Sequence, residues 1–132
     1  MTNSPYILIM AGGVGSRFWP ASREHLPKQF LDITGSGKSL IRQTVDRFLN
    51  FIPLDNIFII THQSYGELVH QAIPELEKHQ IIEEPARNNT AASIALASMK
   101  LSKLNPDAVC IVAPADHVIE NEDEFKSVIR KA

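Results

Sequence analysis

The stretch YILIMAGGVGSRFWP, residues 6–20, runs from five consecutive hydrophobic residues straight into a turn carrying three glycines and an arginine. A short Ile-rich run without polar alternation is the pattern of a strand covered on both faces. Three further runs share it: Asn56 to Ile60, Gln80 to Glu83 and Ala108 to Ala113. Between them lie segments of helical period. Ser39 to Ile52 puts Leu40, Ile41, Val45, Phe48, Leu49 and Ile52 on one stripe, and Thr90 to Leu104 puts Ile94, Ala97, Met99, Leu101 and Leu104 in a largely apolar helix. Gln63 to Leu76, interrupted by Pro74, and Glu122 to Ala132 complete the set. Strict alternation of strand and helix implies right-handed crossovers, and so a three-layer α/β fold with a mainly parallel sheet.

The chain has 132 residues, 44% hydrophobic and 21% charged, which is material for one core. Its net charge of −2, with no basic run flanked by stacking aromatics, excludes nucleic acid as the expected partner. The run at Tyr6–Met10 lacks a basic flank and is too short to span a bilayer, so no membrane partner is expected and the setting is cytoplasmic. Cys110 is the lone cysteine, within Ala108–Val112, and is expected to be a buried core thiol. His25, His62, His70 and His79 show no zinc-ligand spacing.

Ligands of open parallel sheets sit beyond the carboxyl ends of the strands, which directs attention to three segments. In the first, Gly12, Gly13 and Gly15 allow close approach of the main chain to a ligand, and Arg17 and Lys28 add two cations suited to phosphate. The alternative is an ordinary strand-to-helix turn with solvated cations. In the second, Glu84 is either a contact to a base edge or a surface carboxylate, and Asn89 or Thr90 caps the following helix. In the third, "VAPADHV" places Asp116 at the sheet edge, where one carboxylate plus substrate phosphates is a common way to hold Mg²⁺. A helix cap or turn carboxylate is the competing reading, and His117 beside it is a hydrogen-bonding residue.

Two glycine motifs fail. Gly13-x-Gly15-x-x-Phe18 lacks the third glycine of the dinucleotide fingerprint. Gly37-Lys38-Ser39 imitates the end of a Walker A loop, but the first glycine of that pattern falls on Asp32, an acid where phosphate should approach. A flexible turn with Ser39 near a helix start is expected there instead.

Taken in order, AGGVGSRFWPASREHLPKQFLDI, EPARNNTAASIALA and PADHVI resemble the motif chain of the sugar-phosphate nucleotidyltransferases. The resemblance covers essentially the whole chain, yet the family's enzymes are considerably longer, so residues 1–132 correspond to their N-terminal nucleotide-binding part. It implies a Rossmann-like nucleotidyltransferase fold, GTP and mannose 1-phosphate as substrates, GDP-mannose and pyrophosphate as products, and Mg²⁺ as cofactor. It leaves a homo-oligomer open. By the same resemblance, Ala11, Gly12, Gly13, Gly15 and Ser16 would wrap the nucleotide phosphates. Arg17 would hold the leaving pyrophosphate, Lys28 would steady charge at the α-phosphate, and Asp116 would bind the metal. Glu84, Pro85, Asn89 and Thr90 would face the nucleoside. A second metal carboxylate and most sugar contacts would lie beyond Ala132. The sequence departs from the family pattern at Arg87, Asn88 and Ala92. Uridylyl or thymidylyl transfer to glucose 1-phosphate, and a non-catalytic nucleotide-binding domain of the same fold, stay open as alternatives.

Overall fold

The computed structural model describes residues 4–13, 20, 23, 25–86 and 90–132. Its strands are β1 (Tyr6–Met10), β2 (Ile57–His62), β3 (Ile81–Glu84) and β4 (Cys110–Pro114). The helices are α1 (Leu40–Leu49), α2 (Gly66–Ala72), α3 (Thr90–Leu104) and α4 (Glu122–Lys131). All four strands are parallel, in the order β3-β2-β1-β4.

That order explains the layers. The chain steps from β1 to β2 to β3 in one direction, then returns past β1 to β4. Right-handed crossovers put helices of opposite steps on opposite faces. Accordingly Ile7, Ile9, Ile57 and Ile59 face α1 and α2 in one core, with Val45, Phe48, Val69 and Ile73. Leu8, Phe58, Ile60 and Ile82 face α3 in the other, with Ala97 and Leu101. Each fully buried aliphatic or aromatic side chain contributes roughly 1.5–3 kcal/mol, so the central strands β1 and β2 anchor the sheet.

Local chemistry sets the helix ends. The Ser39 hydroxyl accepts the Arg42 N–H at 3.3 Å and opens α1. That helix closes at Leu49, short of the expected Ile52, because Phe51 and Ile52 both donate to Phe48 O in a turn and Pro53 disfavours helical backbone before it. Pro74 acts likewise on Ile73, which leaves the helical region with φ −131° and ψ 71° and ends α2 at Ala72. In α4, Asn121 caps Glu124 N at 3.1 Å, with three acids in the first turn and two basic residues in the last, complementing the helix dipole.

Two expectations need correction. The strands are not all buried on both faces: β4 ends the sheet among the described residues, and Val112 is 41% exposed because the core under α3 takes in β3, β2 and β1 and only borders β4. For the same reason Cys110 is half-buried rather than a full core residue. Burial still raises the pKa of its thiol, which favours the protonated form.

Candidate functional site

Because the sheet is parallel, β1, β3 and β4 deliver their following loops to the same edge. The reversal in strand order falls at β1, so the crevice between β1 and β4 is the topological switch point where open α/β sheets bind ligands. Two backbone bonds extend the ladders just past the strand ends and set the course of the loops beyond. Ala11 N donates to Ile60 O at 2.8 Å, and Ala115 N donates to Met10 O at 3.1 Å. Gly12–Gly13 and Asp116 therefore leave the sheet side by side.

Lys28 arrives from elsewhere. It opens a single 3₁₀ turn, Lys28–Phe30, between β1 and α1, and its Nζ lies 3.5 Å from Asp116 Oδ2. The lysine side chain is 15% exposed and the carboxylate 43%, so the pair sits at the mouth of the crevice, open to solvent on the acid's side. The other carboxylate oxygen, Oδ1, lies 3.0 Å from His117 Nδ1. His117 is thus a close neighbour of the carboxylate on its exposed side.

Among the described residues nothing demands glycine at positions 12 and 13. Neither Gly12 nor Gly13 has positive φ, and a Cβ at Gly13 would meet no described atom within 4 Å. At Gly12 it would make only ordinary contacts, 3.8 Å to His62 N and 4.0 Å to Thr61 Cα. The turn that precedes α1 is the opposite case, with Gly35 and Gly37 at φ 71° and 83°. There Asp32 accepts from Ser36 N at 3.1 Å and Gly37 N at 2.7 Å. The nest that a P-loop would offer to phosphate already holds an internal carboxylate, and Lys38 is turned away to Asp46 at 2.7 Å.

On the β3 side, Glu84 is 5% exposed, and its two oxygens lie 2.9 and 3.0 Å from the Ser93 hydroxyl that donates to them. The surface-carboxylate alternative is therefore wrong: α3 covers this acid and gives it a donor. A carboxylate has roughly four acceptor positions, so one hydroxyl leaves it able to accept further bonds. Pro85 follows, exposed, at the strand end. Thr90 is the first residue of α3. Asn89, together with Gly15, Ser16 and Arg17, lies outside the described residues.

Three side chains that the sequence reading passed over organise this region. Gln29, 4% exposed, donates from Nε2 to Ala11 O at 3.0 Å and to Gly13 O at 2.9 Å. Thr61, fully buried, donates to the same Ala11 O at 2.8 Å. Arg47 reaches from α1 under the Asp116 segment: its Nη2 donates to His117 O at 3.4 Å, its Nε lies 3.9 Å from Glu122 Oε1, and its guanidinium stacks 5.4 Å from the Phe125 ring centre. Burial lowers the Arg47 pKa and Glu122 partly restores it. No periodicity marks such residues, because each acts on a segment distant in sequence.

No group of three or more His, Cys, Asp or Glu side chains converges among the described residues. The donors present fit a hard cation shared with a ligand's phosphates, since Asp116 offers one half-exposed carboxylate and Mg²⁺ commonly takes one or two. They do not form a closed cage.

Fold and site together define a three-layer α/β protein with open loop amides, a lysine and a carboxylate at its switch point. A profile of the nucleotidyl transferase family matches residues 6–132, and the chain belongs to that family. It is 39% identical over 127 residues to the mannose-1-phosphate guanylyltransferase of Klebsiella pneumoniae, covering 95% of this chain and 26% of that protein. The enzyme of the same name from Salmonella montevideo is 42% identical, with the same coverage. The crystal structure of a Thermus thermophilus protein described as mannose-1-phosphate geranyltransferase superimposes with a TM-score of 0.83 at 28% identity, over 98% of this chain and 37% of that one. The chain thus spans about a quarter of the length of the curated relatives it matches. No helix among the described residues is long and apolar enough to cross a membrane.

Proposed function

We propose that this chain is the nucleotide-binding part of an enzyme that transfers GMP from GTP to mannose 1-phosphate, giving GDP-mannose and pyrophosphate. The observation that carries the reading is the approach of Lys28 to Asp116 beside the open Gly12–Gly13 backbone. Family membership and the names of the relatives support it. A cytoplasmic setting goes with it, because nucleoside triphosphates are substrates of that compartment.

The chemistry asks little of acid or base groups. A sugar 1-phosphate is already anionic at neutral pH. Its oxygen forms a bond to the α-phosphorus while the bond to the bridging oxygen breaks and pyrophosphate departs. What remains for the protein is placement and charge. The Gly12 and Gly13 amides hold phosphate oxygens, and Lys28 stabilises the charge that builds at the α-phosphate. Asp116 would hold Mg²⁺, which supplies neutralisation of the triphosphate when bound. Arg17, by its place in the motif, takes the departing pyrophosphate. Glu84, Pro85, Asn89 and Thr90 face the nucleoside, with Glu84 accepting from a base N–H.

Incubation with GTP labelled at the α-phosphate, mannose 1-phosphate and Mg²⁺ tests this reading: label should appear in GDP-mannose. Preference for UTP or dTTP with glucose 1-phosphate would move the assignment within the same chemistry. GTP binding without transfer would support a second reading, a non-catalytic nucleotide-binding domain of the same fold.

A further inference from the structure

We infer that Gln29 is a positioning residue that holds the glycine loop in its phosphate-accepting form and ties it to Lys28; this rests on the function proposed above. The Gln29 amide nitrogen has two hydrogens and two acceptors, Ala11 O at 3.0 Å and Gly13 O at 2.9 Å. Both partners are carbonyls, which only accept, so the nitrogen and not the oxygen must face them. Thr61 fills the second acceptor position of Ala11 O. The peptide between Ala11 and Gly12 is planar and trans, so with its carbonyl pinned into the protein its N–H points the other way. That direction is away from Gln29 and Thr61. No described residue accepts from the N–H of Gly12 or Gly13. Without the clamp this peptide is free to turn its carbonyl outward, and an outward oxygen repels phosphate.

The clamp also sets a distance. Lys28 and Gln29 are consecutive in one 3₁₀ turn, where successive side chains diverge by about 120°. One side chain approaches Asp116 and the next grips the loop. The position of the cation relative to the loop amides is therefore fixed by a single turn of backbone.

The test uses Gln29→Met, which keeps the volume and removes the donors, and Gln29→Glu, which sets a carboxylate against two carbonyls. Thr44→Val serves as the control, since it removes another buried side-chain bond, Thr44 Oγ1 to Leu40 O at 2.9 Å, within α1. Backbone ¹⁵N relaxation at Gly12 and Gly13 and affinities for GTP and guanosine are measured on all four proteins. Both Gln29 variants should raise the mobility of the two glycines and weaken GTP about tenfold or more, with guanosine affinity unchanged and Gln29→Glu the worse of the two. Thr44→Val should lower thermal stability and leave loop mobility and GTP affinity alone. Unchanged mobility in the Gln29 variants, or equal losses for GTP and guanosine, overturns the inference. Should the wild-type protein bind no GTP, the functional reading falls, and the relaxation data alone decide the clamp.

Discussion

Lys28 Nζ and Asp116 Oδ2 lie 3.5 Å apart although 88 positions separate them in the chain. One comes from the turn before α1 and the other from the end of β4, so the contact exists only because β1 and β4 pair. An ion pair this long, with a carboxylate 43% exposed, contributes little to folding, about 1 kcal/mol at most. Denaturant titration of Asp116→Asn should therefore give a stability within about 1 kcal/mol of wild type. A larger loss would make the carboxylate a structural element rather than one left free for a ligand.

Gly13 carries the converse prediction. No described atom occupies the space a Cβ would take, and φ is not positive. Gly13→Ala should leave the protein as stable as before or stabilise it by about 0.4–1 kcal/mol, through the unfolded state. The methyl group projects into the space where phosphate would lie, so GTP affinity should drop about tenfold or more. Thermal melts and nucleotide titration on one preparation check both halves.

The loop before α1 imitates a phosphate site and should not act as one. Asp32 occupies its amides and Lys38 pairs with Asp46. Lys38→Ala should change GTP affinity by no more than about twofold. A loss beyond tenfold in the same titration would relocate the triphosphate to this turn.

Acid should weaken one identifiable network. Burial by itself raises the Asp46 pKa, but hydrogen bonds from Arg42 and Lys38 outweigh it and bring it below the ordinary value. Glu75 is lowered too, first of all by its hydrogen bond from Arg42. Both acids take up protons more readily in the unfolded chain. Their contribution is therefore complete above about pH 5 and is lost as the pH falls through the lowered folded-state values. Stability of wild type over Asp46→Asn should be about 1 kcal/mol at pH 7 and shrink between about pH 4 and pH 2. A gap that widens on acidification would contradict the assignment.

What the sequence disclosed and what it concealed divide along one physical line. Tyr6–Met10 and Thr90–Leu104 were legible to the residue, since hydrophobic period is a local property and both have clear boundaries. Asp116 could be placed at a strand end for the same reason. Strand order was not legible, and with it went the exposure of Val112 and the half-burial of Cys110, which depend on β4 lying at the border of the core under α3. Gln29, Arg47 and Ser93 were missed because each serves a segment remote in sequence: the glycine loop, the Asp116 segment and the end of β3. Glu84 shows the limit best. Its position after an apolar run was plain, but only the packing of α3 shows it buried under a serine hydroxyl.

The most direct test is calorimetric titration of wild type, Lys28→Ala and Asp116→Ala with GTP, each with and without Mg²⁺, after circular dichroism has shown that all three are folded. The account predicts Mg²⁺-dependent binding by wild type, weakened about tenfold or more in both variants, with the Mg²⁺ dependence abolished in Asp116→Ala. GTP binding that neither substitution weakens, or its absence from the wild-type protein, would contradict a nucleotide site at the β1–β4 crevice.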